Sequence, residues 1–394
     1  MDSSGTYPGF LFFASPFSSL LMLVSAVSFG AKSVSYCNIL IQTFEEVFMA
    51  ERVKVAALGL AHDHVWSNLR ALKALDNAVL VAGADGNAEL REKFVEATGC
   101  ELVYDDFEAL LDNEEPDAVF VFTPTAHHAD VVELCAPRGI HVMVEKPMAA
   151  TLEQADRMLT AARKAGTVLM VNWPTAWNRG IRTAYRLVQE GAIGQVWQLL
   201  WRGGHCGPDE LGCSEHFCDF LFDSHLNGAG AFNDYGGYGA SLCVLFLGRP
   251  NRVVGMAGRL LKTHLPVDDN GMMILRYPNA MCRLEMTWTE AVPHKPPHDL
   301  MLHGTEGTII AGSDVVLYTR DCKDGKTIAP DALPEGENNA SEHFIHCIQS
   351  GASPGFVTCA DLSRNAQEIM EAGLISAING IAMALPIEDH LFRE

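Results

Sequence analysis

The chain has 394 residues, of which 48% are hydrophobic and 20% charged. That balance excludes wholesale disorder, collagen and coiled coil. Its formal net charge of −21 excludes nucleic acid and anionic membrane as partners, because both select a basic face. The eleven cysteines are scattered, with no CxxC pair. They read as small apolar fillers in a reducing compartment rather than as a disulfide scaffold.

Residues 9–31 carry no charge, and Asp2 is the only charged residue before Lys32. A secretory signal would want a basic start. Residues 1–48 therefore read as an extension upstream of a natural start at Met49, which places the protein in the cytoplasm. Export or membrane anchoring through 9–31 is the alternative.

From Met49 the elements follow in order. Residues 52–60 form a short apolar run ending at Gly59-Leu60, which predicts a buried parallel strand. Helical spacing follows at Val65, Leu69, Leu72 and Leu75. A second strand at 78–84 closes on Asp85. A helix is predicted over 87–98, a short strand at 103–104 and a short helix over 106–111. Strands at 118–123, 140–144 and 168–171 alternate with helices over 127–138 and 151–164, the latter capped by Thr151. This alternation predicts a doubly wound parallel sheet, and assigns residues 49–172 to a Rossmann domain.

The pattern changes after residue 172. A helix over 181–190 and a strand at 195–202 lead into an irregular loop over 203–232. Strands follow at 252–263, 271–277, 280–289, 298–303, 307–311 and 314–319, then helices over 340–350 and 362–383. Strands in succession imply an antiparallel sheet. Residues 173–390 thus form an α+β domain with a large, mostly antiparallel sheet, assigned to substrate binding and oligomerisation.

Chemistry collects at strand carboxyl ends in such a sheet. The first strand ends in Gly59-Leu60-Ala61-His62-Asp63-His64. Only Gly59 of the dinucleotide fingerprint is in place, and Ala61 takes the second glycine position. Asp85, 26 residues on, sits near where a carboxylate bonds the adenosine ribose and repels a 2′-phosphate. It is equally readable as a solvated turn residue. The expected cofactor is NAD, with NADP as the alternative. Thr123, Pro124 and His128 follow the fourth strand, and Glu145-Lys146-Pro147 ends the fifth. His62 and His64 offer polar contacts to the cofactor, or serve as ordinary turn residues. The loop over 203–225 holds His205 and several Cys, Asp and Glu residues in no compact zinc spacing, so no metal is assigned.

The order of Rossmann turn, Thr-Pro…His, EKPMAATLEQADRML, GAIG and antiparallel sheet resembles the Gfo/Idh/MocA oxidoreductases, the relatives of glucose–fructose oxidoreductase and inositol dehydrogenase. Asn227 to Gly248 is similar to the second signature of that family. The resemblance covers about residues 52–388. It implies that Lys146 is the acid/base and that Asp234 and Tyr238 flank the substrate. The strand-end turns supply the candidate cofactor contacts: Gly59, Leu60, Ala61, His62, His64, Asp85, Thr123, Pro124, His128, Glu145 and Lys146. The antiparallel sheet of such proteins commonly packs on a second copy, so a homodimer or homotetramer is expected. Ser241 departs from the Asp found in many relatives.

The residues support the same chemistry. Oxidising a secondary alcohol needs a hydride acceptor and a base. Free lysine titrates near ~10.4, and burial beside a cationic nicotinamide would lower it. Trp173, Trp177, Arg182 and His205 are candidate substrate contacts beside Lys146, Asp234 and Tyr238, the tryptophans being equally readable as interdomain core. The expected function is an NAD(P)-dependent oxidoreductase acting on a sugar, cyclitol or related polyol. The alternatives are an NAD-dependent glycosidase working by transient oxidation, and a catalytically silent dinucleotide- or sugar-binding protein.

Overall fold

The computed structural model describes residues 52–291 and 300–387. The expectations for residues 1–48, and the last residues of the second domain, lie outside these. The first half is a right-handed alternation of β1 (Val53–Leu58), α1 (His64–Lys73), β2 (Ala78–Ala84), α2 (Ala88–Thr98), β3 (Val103–Tyr104), α3 (Phe107–Glu114), β4 (Ala118–Val121), α4 (His128–Cys135), β5 (His141–Glu145), α5 (Leu152–Ala165) and β6 (Leu169–Asn172). The strands lie in the order β3-β2-β1-β4-β5-β6, all parallel. All four residues of β4 and of β6 are buried, as expected for strands covered on both faces. The predicted helix over 127–138 is α4 flanked by two 3-10 turns, with Pro137 in the second. Thr151 caps α5 in a reciprocal box with Gln154, which fixes where the chain turns after β5.

The second half contains α6 (Arg179–Gln189), β7 (Val196–Gly204), α7 (Glu215–Leu221), α8 (Ser224–Asn227) and α9 (Ala231–Leu247). It continues with β8 (Arg252–Gly258), β9 (Asn270–Arg276), β10 (Met281–Thr287), β11 (Leu300–Gly304), β12 (Gly307–Ala311), β13 (Val315–Thr319), β14 (Cys322–Ile328), α10 (Ala340–Ser350), α11 (Ala360–Asn379) and β15 (Met383–Ala384). Nine strands form one sheet, β14-β13-β12-β11-β7-β10-β9-β8-β15. Its pairs are antiparallel except β7 with β10.

The structure corrects two predicted elements. The stretch over 203–232 is not irregular: α7, α8 and the start of α9 lie in it. Its Asp, His and Cys content hid a short amphipathic pattern, in which Phe217, Phe220 and Leu221 are buried. Ser214 and Asp223 cap the two short helices. The polar strand β14 was also missed, because an edge strand reading Cys-Lys-Asp-Gly-Lys-Thr has no apolar alternation to detect.

One face of the large sheet carries α9 and α11, where Phe232, Met273, Leu275, Leu284 and Met370 are buried. On the opposite face Val254, Met256, Met272, Ile274 and Met281 are exposed, and register sets Val254 beside Ile274 and Met256 beside Met272. Among the described residues no helix is long and apolar enough to cross a membrane.

Candidate active site

The carboxyl ends of β5 and β6 meet the first turn of α9. Lys146 directly follows β5 and is 6% exposed. Its Nζ donates to Asp234 Oδ1 at 2.6 Å, and Asp234 is 4% exposed. Tyr238 lies one helical turn beyond Asp234, so both project from one face of α9. The Lys146 ammonium sits 5.3 Å from the centre of the Tyr238 ring.

Burial is the largest single influence and pushes the Lys146 ammonium toward neutrality, but Asp234, Tyr238 and Glu145 together outweigh it. The net result holds Lys146 above the ordinary lysine value. Burial pulls it down as expected, but among the chain's own groups the neighbouring charges win over desolvation. Burial raises the Asp234 carboxyl, yet Lys146, His205 and the hydrogen bonds hold it below its ordinary value. Burial pushes the Tyr238 phenol up to about 12 against the pull of Lys146. The resting site is therefore a lysinium–carboxylate pair beside a protonated phenol.

Aromatic rings surround the pair. Trp173 meets Tyr238 edge-on at 5.3 Å, Trp201 stacks on it at 6.4 Å, and Tyr235 lies 5.5 Å away. His205 meets Tyr235 edge-on at 5.2 Å. Its Nδ1 accepts the Gly207 amide at 2.8 Å, which leaves the proton on Nε2. Burial lowers its pKa, so the ring is a neutral donor. A cavity of about 160 Å³ opens beside these rings, lined by Thr175, Trp201, Gly203, Gly204, Tyr235 and Tyr238.

A groove of about 710 Å³ runs along the ends of β1, β2 and β4. Gly59, Ala61, Asp85, Thr123 and Pro124 line it, and His216 and Phe220 of α7 face them. These residues fit a dinucleotide on two counts. Thr123 Oγ1 is buried without a partner. Gly59 has φ +75°, and a Cβ there would come within 2.5 Å of the Thr123 side chain, so only glycine lets the turn lie this close to β4. A larger groove of about 1110 Å³ lies between α4 and α5, away from the strand ends where Lys146 sits.

Glu145 is buried and held between neighbours. Its Oε1 accepts from Asn172 Nδ2 at 2.6 Å and its Oε2 meets His64 Nδ1 at 3.1 Å. Burial raises its carboxyl, and His64, Lys146 and Asn172 bring it below the ordinary value. His62, His64 and Glu145 bring three ligand atoms within 4.8 Å of one another. However, His62 Nδ1 accepts the His64 amide at 3.2 Å, which puts its proton on Nε2. That nitrogen faces Glu145 at 3.8 Å as a donor, not as a metal ligand.

Several predicted residues do other work. Asp85 accepts the Leu60 amide at 2.7 Å and the Asn87 amide at 2.8 Å, so its carboxylate shapes the turn as well as lining the groove. Leu60 is buried in the core. His128 is buried between the carbonyls of Met148 and Thr123 and braces the loop after β5 rather than facing the groove. Trp173 is 1% exposed and donates to Ser363 Oγ at 3.0 Å, so it is core behind Tyr238. Trp177 packs on His343. Arg182 donates to the Ala176 carbonyl at 2.6 Å and pairs with Glu337 at 2.6 Å, which commits it away from Lys146. Ser241 is buried and bonds the Tyr238 carbonyl. Sequence reasoning missed Trp201, Tyr235, Asn172 and Trp288, which reach the site only through packing of β6, β7, β10 and α9.

Comparison with known proteins identifies the family. Residues 53–173 match the profile described as "Oxidoreductase family, NAD-binding Rossmann fold", and residues 181–310 match the GFO/IDH/MocA C-terminal domain. The chain belongs to the Gfo/Idh/MocA family of NAD(P)-dependent oxidoreductases. It is 30% identical over 264 residues to dTDP-3,4-didehydro-2,6-dideoxy-alpha-D-glucose 3-reductase of Streptomyces violaceoruber, covering 67% of this chain and 73% of that one. It is 25% identical over 360 residues to D-apiose dehydrogenase of Paraburkholderia graminis, covering 85% and 90%. Levoglucosan dehydrogenase, solved with NADH and levoglucosan, shares the fold at a TM-score of 0.71 and 20% identity, over 85% of this chain and 100% of that one.

Proposed function

We propose that the protein interconverts a secondary alcohol of a sugar, cyclitol or related polyol with the corresponding carbonyl, using Lys146 as the proton-handling group. The observation that carries this reading is the buried Lys146–Asp234 contact of 2.6 Å at the end of β5, beside the ring of Tyr238. The sugar-acting relatives support the substrate class.

Gly59, Ala61, Asp85, Thr123 and Pro124 would hold the cofactor, and Glu145 would stand beside Lys146 as its neighbour. Bound NAD supplies the hydride acceptor. Asp219 and Asp223 also line the groove with Asp85, and three carboxylates disfavour a 2′-phosphate, which supports NAD over NADP. Lys146 Nζ, held as an ammonium, protonates the substrate oxygen as a carbonyl is reduced. In the oxidative direction it must first lose its proton and then take the hydroxyl proton. Tyr238, protonated through the neutral range, donates a hydrogen bond to the same oxygen. His205 offers Nε2–H to a second hydroxyl, and the rings of Trp201 and Tyr235 pack on the apolar face of a sugar. Exclusion of water by these rings strengthens each polar contact.

The apolar stripe of Val254, Met256, Met272 and Ile274 supports a homo-oligomer formed through the open sheet face. Replacing Lys146 by Met tests the assignment. Turnover is lost and NAD affinity is retained if Lys146 handles the proton. Equal loss of both refutes it.

A further inference from the structure

Trp288 directly follows β10, at the end of the second sheet that meets the Rossmann strands. It is fully buried. Its backbone N–H donates to the Asp269 carbonyl at 2.8 Å, which fixes the residue, and Phe222 packs edge-on against the indole at 6.0 Å. The indole Nε1–H donates to Asp234 Oδ2 at 3.0 Å. Lys146 takes the other oxygen, Oδ1, at 2.6 Å. One carboxylate is thus gripped by two donors from different domains. The His205 ring lies parallel to the indole, 5° apart in plane at 6.4 Å, so the same tryptophan also backs the neutral donor beside the pair.

This arrangement decides where a proton can sit. The terminal torsion of an aspartate is broad and nearly two-fold, so one contact leaves the carboxylate free to rock. A second donor fixes its plane. An N–H donor on each oxygen stabilises the ionised carboxylate over the protonated acid. Asp234 therefore stays a carboxylate, and the proton exchanged with substrate belongs to Lys146. We infer that Trp288 is a positioning residue of the reaction, whose indole N–H locks Asp234 in register and assigns the mobile proton to Lys146. The inference rests on the proposed lysine-based oxidoreduction.

The test uses the whole protein, Trp288→Phe, and a variant with benzothienylalanine at 288. That analogue keeps the indole shape and replaces N–H by sulfur, so it remains decisive if Trp288→Phe fails to fold. Loss of a hydrogen bond to a charged group predicts a fall in kcat of about tenfold or more. KM for NAD should be unchanged, and the acid limb of the pH–rate profile should move to higher pH, because Asp234 protonates more readily. A packing role alone would not move that limb. Unchanged kcat and an unmoved limb in the benzothienylalanine variant overturn the inference. A second arm needs no turnover. The six tryptophans give six indole ¹⁵N–H signals, and the one lost in Trp288→Phe is Trp288. Asp234→Asn should shift that signal more than the other five. If it does not move, Trp288 does not hold Asp234. If wild type shows no NAD-linked turnover with any polyol, the parent reading fails while this arm still decides the contact.

Discussion

Asp234→Asn removes one charge from a buried pair while keeping the shape of the side chain. Unit charges about 4 Å apart interact by roughly 4 kcal/mol at an effective dielectric near ~20. That corresponds to about a thousandfold in the proton affinity of Lys146. With the charge gone, burial is opposed only by the remaining neighbours, Glu145 and Tyr238, and the lysine binds its proton less tightly than in wild type. The amide also has one acceptor oxygen for two donors, Lys146 Nζ and Trp288 Nε1, so one contact is lost outright. The stability sign follows. In wild type the folded lysine binds its proton more tightly than the unfolded one, so the pair stabilises the protein below ~10.4 and that gain is lost at still higher pH. In the variant the folded lysine binds its proton less tightly than in wild type, so that gain is smaller at every pH below ~10.4. Thermal melts from about pH 8 to 11.5 should show a Tm gap between the two proteins that is steady below ~10.4 and narrows above it. Initial rates should show the oxidative profile displaced to lower pH and carbonyl reduction weakened at neutral pH. A pH-independent gap with superimposable rate profiles would refute the idea that Asp234 sets the charge of Lys146.

Further outcomes are expected at the groove and the sheet. Gly59→Ala puts a Cβ within 2.5 Å of Thr123 at a φ of +75°, and NAD affinity measured by tryptophan fluorescence should fall at least about tenfold; an unchanged Kd would mean the turn does not cradle the cofactor. NADP should bind more weakly than NAD, and Asp85→Ala with Asp219→Asn should narrow the difference; equal binding of both nucleotides by wild type would refute the carboxylate argument. Met256→Glu, on the open sheet face, should lower the mass seen by light scattering at micromolar concentration. A monomeric wild type would remove the sheet-face interface altogether.

Much of the fold was legible because buried parallel strands announce themselves. The runs at 53–58, 78–84, 118–121 and 141–145 are apolar and end in turn residues, so both their existence and their order could be read. Lys146 was legible for the same reason: a charged residue directly after such a run lies at a strand carboxyl end. Asp234 and Tyr238 were legible only through the resemblance of residues 227–248 to a family signature; the helix that puts them on one face, Ala231–Leu247, was not predicted. The rest depended on contacts between distant segments. Nothing in Met-Thr-Trp-Thr-Glu shows that Trp288 reaches residue 234. The pull of burial on Lys146 was legible, but that Asp234, Tyr238 and Glu145 together outweigh it depends on distances a sequence does not show. Arg182 and His128 were chosen for their chemistry, but Glu337 and the carbonyls of Met148 and Thr123 claim them. The helices at 215–227 were hidden because seven- and four-residue segments are too short for a helical period to stand out.

The central claim is that Lys146 handles the proton in an NAD-linked oxidation of a sugar or polyol. The most direct measurement follows absorbance at 340 nm with wild type and Lys146→Met side by side, in NAD and in NADP, across a panel of aldoses, inositols and anhydrosugars. The account predicts NADH from at least one polyol with wild type, at a rate rising with pH as Lys146 loses its proton. It also predicts NAD binding without turnover in the variant. Failure of wild type to bind either nucleotide, or equal turnover by wild type and variant, would contradict it.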